Sequence, residues 1–158
     1  MKKSFIVLFA LLMSVTVFTR EPEEEFLITK EGTIKCQKIS LWVNKARIVL
    51  ANGEKSFVPI EQISSFIEGG KQFDKLTLFN NGKTTNREVF MELLKSRDGL
   101  VLYKYVNYDY TDFDSNSGKS FSTFNTYYVY RADKLYLELT ENSLPSVFQF
   151  FDVKYTIM

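Results

Sequence analysis

Phe73-Asp74-Lys75-Leu76-Thr77-Leu78-Phe79-Asn80-Asn81-Gly82 runs on into Lys83-Thr84-Thr85-Asn86-Arg87-Glu88-Val89-Phe90-Met91-Glu92-Leu93-Leu94. Beyond Asp98-Gly99 it continues as Leu100-Val101-Leu102-Tyr103-Lys104-Tyr105. Asn-Gly and Asp-Gly tolerate the positive φ of tight primed turns, so two hairpins share the middle segment. Leu76/Leu78 and Tyr103/Tyr105 fall two apart, the period of a strand with one buried face. Val89-Phe90-Met91-Glu92-Leu93-Leu94 also has the look of a turn and a half of helix. Turns close on both sides and β-rich neighbours favour a strand. This stretch predicts a mainly β chain.

Outward from it the same grammar repeats. Strands are expected over 26–30, 33–42, 45–50 and 54–59, with turns at Glu31-Gly32 and Asn52-Gly53. Residues 26–66 then form a meander that fits a small SH3-like barrel, with one helical turn at Pro59–Ile63. Residues 73–139 form a second antiparallel sheet that ends in a hairpin over 124–131 and 135–139 across Ala132-Asp133-Lys134. Residues 143–151 read as one short helix: Asn142 or Ser143 as cap, Pro145 near the first turn, then an apolar stripe. No internal repeat and no Pro- or Ser-rich linker divides the chain. A single β-rich domain over 20–158 is expected, long enough to bury a core without disulfides or metal.

The 158 residues are 45% hydrophobic, 25% charged and 16% aromatic, ordinary for a globular domain in the first two figures. Lys2 and Lys3 precede an unbroken apolar run from Phe5 to Met13, and Arg20 with Glu21, Glu23, Glu24 and Glu25 ends the segment. This is the layout of a secretory signal over 1–19, with Val17 and Thr19 before a cut at Arg20. The alternative is an uncleaved anchor, and only then is a membrane a partner. No Cys lies where a lipid anchor would attach. The expected location is periplasm, outer envelope or secreted material. Loss of Lys2 and Lys3 from 20 basic residues, against 19 acidic ones, leaves a balance of −1. That gives no overall steering to nucleic acid or to membranes.

The chemistry open to the chain is narrow. It has no His, which removes imidazole bases and ligands. Cys36 is the only thiol, so no internal disulfide forms; it shares a face with Ile34 and reads as a small buried hydrophobe. Gly82-Lys83-Thr84 and Gly118-Lys119-Ser120 end like phosphate-binding loops, but Thr77 and Phe113 stand where the first Gly is needed. No cofactor is expected. Glu88 and Glu92 read as solvent-facing edge charges.

Residues 107–122 form a polar loop, long for a compact domain. In it Asp109, Asp112, Asp114 and Asn116 put oxygen atoms at spacings that resemble a calcium loop. Ser117 and Thr123 occupy the places of the Gly and Glu of the helical version, so a solvated turn-forming loop is the simpler reading. Eight of nine Tyr fall between Tyr103 and Tyr136. Most suit a sheet core. Tyr128 and Tyr130 fall on one face and Tyr127 on the other. Tyr108, Tyr110, Phe113, Tyr128 and Tyr130 are the candidates for a surface that meets a protein or glycan partner.

Phe26-Leu27-Ile28-Thr29-Lys30-Glu31-Gly32-Thr33-Ile34-Lys35-Cys36 resembles the opening of a family of small, uncharacterised secreted proteins of Gram-negative bacteria. Val58-Pro59-Ile60-Glu61-Gln62-Ile63, Phe90-Met91-Glu92-Leu93-Leu94 and Leu102-Tyr103-Lys104-Tyr105 extend the likeness over most of the chain. The Asp that usually stands before the Thr is absent at Thr33, and the relatives usually continue into a charged helix. The resemblance implies export and a β-rich fold, and no catalytic residues. The functional expectation is a non-enzymatic binding or structural component of the envelope or of secreted material. The alternative is a hydrolase or cation-dependent enzyme that uses the acids of 109–114.

Overall fold

A computed structural model describes residues 24–111 and 120–154, with side chains over 24–107 and 123–154. The described residues form eleven antiparallel strands and one α-helix. The signal segment, Asp112, Phe113, Asp114 and Asn116 lie outside the described residues, as do the side chains of Tyr108, Asp109 and Tyr110.

The first half makes two three-stranded layers. β1 (Glu25–Thr29) pairs with β2 (Gly32–Cys36) and β6 (Ile63–Glu68), while β3 (Lys38–Leu41), β4 (Lys45–Val49) and β5 (Lys55–Pro59) form a separate sheet. The segment 33–42, expected as one strand, is two: the chain bends at Gln37 and changes sheet. A one-turn 3-10 helix, Ile60–Gln62, joins β5 to β6. Leu27, Cys36, Ile39, Ala46, Ile48, Val58, Ile63 and Phe66 pack between the layers. The ladder is not closed by backbone pairing from β5 back to β6, so the meander is a pair of packed sheets and not a closed barrel.

The turn at Asn52-Gly53 differs from the expected primed pair. Gly53 alone takes positive φ (82°), its N–H donates to Leu50 O at 2.8 Å, and Leu50 N–H donates to Glu54 O at 2.8 Å. The loop is thus one residue longer, with glycine at the left-handed position that such loops demand. Asn81-Gly82 and Asp98-Gly99 do have positive φ at both residues, as primed turns require.

β6 continues into β7 (Lys71–Asn80), β8 (Lys83–Arg97), β9 (Leu100–Thr111), β10 (Ser120–Arg131) and β11 (Lys134–Glu138). The eight-stranded sheet has the order β11-β10-β9-β8-β7-β6-β1-β2. The helical look of Val89–Leu94 has a physical source. β8 is buried on both faces: Val89, Met91 and Leu93 join one core, and Phe90 and Leu94 join two others. A strand covered on both sides loses its alternation and reads as a continuous apolar run.

The expected 107–122 loop is shorter. β9 and β10 pair through Tyr110↔Phe121 and Thr111↔Ser120. Alternating rings and polar residues over Tyr108–Thr111 are strand sequence.

α1 (Leu144–Phe151) lies on the sheet through Leu144, Phe148 and Phe151, against Leu102, Val129 and Leu139. Spacings of four and three put these side chains on one helix face. Ser143 is the N-cap residue but does not cap by side chain. Its hydroxyl instead donates to Thr140 O (3.1 Å) and accepts Thr140 N–H (2.9 Å). Among the described residues no helix is long and apolar enough to cross a membrane.

Candidate functional site

Tyr128 and Tyr130 of the second sheet are structural. Tyr128 and Tyr130 are each 2% exposed, which removes them from the partner surface. Their hydroxyls explain why tyrosine, and not phenylalanine, stands there. Tyr128 donates to Phe79 O at 2.9 Å and Tyr130 to Thr77 O at 2.6 Å. Flat pairing would hold β10 three strand spacings from β7, about 14 Å, so these bonds require the sheet to curl. Gly82 N–H reaches the Glu138 carboxylate at 2.7 Å across the same seam. Two strands that never pair by backbone are thereby tied by side chains, and β7 carbonyls beyond the reach of β6 are satisfied. Burial, above all, pushes the Tyr128 hydroxyl up to about 12 and raises Tyr130 too. Both stay protonated donors.

Glu92 is also corrected. β8 is a central strand, and the Glu92 side chain is 12% exposed between Lys71 (3.0 Å) and Lys104. Burial alone would raise its carboxyl. Hydrogen bonds and charge from Lys104 and Lys71 outweigh that and hold it below its ordinary value. Glu88 remains largely exposed and sits 3.8 Å from Lys75. Cys36 is 3% exposed, and burial pushes its thiol up to about 11, away from nucleophilic character.

Where β6 parts from β7, a polar cleft of about 550 Å3 opens, lined by Ser65, Asp74, Lys75, Glu88, Tyr103 and Asp133 among others. The carboxylate of Asp74 accepts the Tyr103 hydroxyl (2.7 Å) and Gln72 Nε2 (2.9 Å). Lys75 Nζ donates to Ile60 O at 2.8 Å. The hydroxyl of Ser65 is buried and has no hydrogen-bond partner. A nucleophilic serine needs a base within hydrogen-bond reach, and none touches it. Among the described residues no group of three or more His, Cys, Asp or Glu is placed to hold a metal ion.

Phe124, Tyr136 and Phe150 are exposed on the large sheet and helix, but exposed rings stand together with cations on the outer face of β3-β4-β5. The register stacks Lys38, Val49 and Lys55 in one row and Ser40, Arg47 and Phe57 in the next. Trp42, Lys45 and Pro59 complete the face; Trp42 N–H donates to Lys45 O at 2.8 Å, and Lys45 pairs with Pro59. No carboxylate stands among these nine positions. Trp42 is 51% exposed and Phe57 52%. Their rings meet edge-on at 6.1 Å, and Lys45 Nζ lies 5.1 Å and 4.4 Å from the two ring centres. Cation–π attraction fixes the ammonium over both rings. Sequence reasoning missed this face. The signal was present as alternation in Lys38-Ile39-Ser40 and Lys45-Ala46-Arg47-Ile48, which sends the cations one way and the apolar residues the other.

No protein-family model matches the chain, and neither the curated proteins nor the solved structures contain a significant match to it.

Proposed function

We propose that this chain is an exported, non-enzymatic binding component of the cell envelope or of secreted material. It binds through the outer face of its small sheet. The observation that carries the reading is the pairing of half-exposed Trp42 and Phe57 with Lys38, Lys45, Arg47 and Lys55 on one carboxylate-free face. Tryptophan and arginine concentrate binding energy when a partner covers them. Lys2, Lys3 and the apolar run that follows support export. The resemblance to secreted β-rich proteins of Gram-negative bacteria points the same way. A protein or glycan partner was the expectation from the sequence, and either could cover such a face.

Fractionation of the producing cell tests the address. The protein is expected outside the cytoplasm with a mature N-terminus near Arg20. Full-length protein with Met1 in the cytoplasm would overturn the reading. A screen of glycan and ester substrates, with and without calcium, tests the absence of catalysis. Turnover lost on Asp112→Ala and Asp114→Ala would favour the enzyme alternative instead.

A further inference from the structure

We infer that the β3–β4 end of the small sheet docks on an anionic lipid bilayer, as a peripheral contact. The inference rests on the binding-face reading above and sets a bilayer in the place of a protein or glycan partner.

Sign comes first. Lys38, Lys45, Arg47 and Lys55 share a face without a carboxylate, in a chain whose total charge is close to zero. Among the described residues none of the four forms an ion pair. Glu25, which accepts Ile39 N–H at 2.5 Å, lies near Lys38 and weakens that one cation. A local field of this kind is invisible in the net charge, and it calls for an anionic partner.

Placement then separates a bilayer from a soluble polyanion. The exposed apolar groups are not spread over the face. They gather at one end: Trp42 and, in the β3–β4 turn, Val43, which is fully exposed, with Leu41 (38% exposed) next to them on the opposite side of β3. Phe57 stands one row behind, beside Arg47. A polysaccharide or nucleic acid in water gains little from a bare valine at a hairpin tip. A bilayer gains from it, because the tip enters the interface while cations behind it meet headgroup phosphates. Tryptophan is suited to that depth, with an apolar body and a polar N–H. Lys45 Nζ lies over both rings, and its flexible stem lets the charge move out to the headgroup level while the rings go deeper.

Trp42 is the only tryptophan in the chain, so its emission reports this tip alone. The experiment titrates the full chain with phosphatidylglycerol vesicles, some carrying brominated acyl chains, and with phosphatidylcholine vesicles. Expected are a blue shift and bromine quenching of Trp42 on the anionic vesicles, much weaker in high salt. A Lys38→Gln/Arg47→Gln/Lys55→Gln variant, with the same N-terminal segment, should bind this way roughly a hundredfold more weakly, at about fivefold per cation. Val43→Asp, at an open position, should abolish the quenching and leave the fold intact by circular dichroism.

An unchanged Trp42 spectrum would overturn the inference, even if the protein sediments with vesicles through its first residues. So would an equal shift on neutral vesicles, binding by both variants as tight as that of the parent, or a shift produced instead by polygalacturonate or by poly(dT). An exported chain with a silent Trp42 would sink this inference and leave the proposed function standing. A cytoplasmic full-length chain would sink that reading by itself.

Discussion

Two of the aromatic clusters on the β-sheet faces of this chain have opposite fates. Tyr128 and Tyr130 are buried beneath a curled sheet, with each hydroxyl bound to a backbone carbonyl of β7. Trp42 and Phe57 stand half in solvent on a small sheet, with a lysine over their rings. The polar atom of the tyrosine marks a core where a curled strand leaves carbonyls unpaired. On the small sheet the apolar side is already filled by Ile39, Ala46, Ile48 and Val58, so the opposite side must remain outside. Aromatic density alone therefore says little about a binding surface. What covers the other face of the strand decides it.

Several substitutions would break or sharpen this contrast. The largest effect is expected at Tyr130. Tyr130→Ala removes a fully buried ring that meets Tyr103 edge-on at 5.6 Å and should cost about 3–5 kcal/mol in chemical denaturation. A change below 1 kcal/mol would mean the ring is not core. Tyr130→Phe keeps the ring and orphans Thr77 O, with an expected cost of about 1–2 kcal/mol; indifference to it would mean that the hydroxyl bond to β7 adds no stability.

Glu92→Ala should come next, at about 1–3 kcal/mol, since it strands Lys104 beneath the sheet surface. The sign of its pH dependence follows from its depressed carboxyl. The stabilisation is present above the ordinary value of 4.5 and is lost as pH falls through the lower folded value. Acid unfolding curves of Glu92→Gln should be flatter there than those of the parent, and superimposable curves would refute the buried pair.

Ala132 has φ of 46°, a left-handed conformation that costs an alanine about 1 kcal/mol. Ala132→Gly should raise the denaturation midpoint by an equivalent of about 0.5–1 kcal/mol. The smallest stability effect is expected on the exposed cluster. Trp42→Ala should stay within about 0.5 kcal/mol of the parent. A loss as large as that of Tyr130→Ala would make Trp42 a core residue and erase the distinction between the two clusters.

Much of the architecture is legible locally. The hairpins at Asn81-Gly82 and Asp98-Gly99, the short helix with Pro145 in its first turn and the burial of Cys36 follow from turn chemistry and period. Each depends on neighbours a few residues away. The break at Gln37 left a mark that the one-strand expectation passed over: Ile34 and Cys36 keep one phase, Gln37 and Lys38 are both polar, and Ile39 and Leu41 resume in the opposite phase. The burial of Glu92 was not legible. A charge in an apolar run looks like an edge until strands on both sides bring Lys71 and Lys104 to it.

Local sequence was sufficient for the β class, the hairpin turns at Asn81-Gly82 and Asp98-Gly99, the helix near residues 143–151 and the lack of imidazole chemistry, but not for β6 and its turn at Gly69-Gly70. The former depend on backbone preference, periodicity and composition, none of which requires long-range contact. Tertiary structure decided which rings are inside. Tyr130 meets Thr77 from 53 residues away, and Lys45, Arg47 and Phe57 become one surface only when β3, β4 and β5 take a single register. A side chain's exposure is a property of what packs against it, and that partner is supplied by the curl and stacking of the sheets.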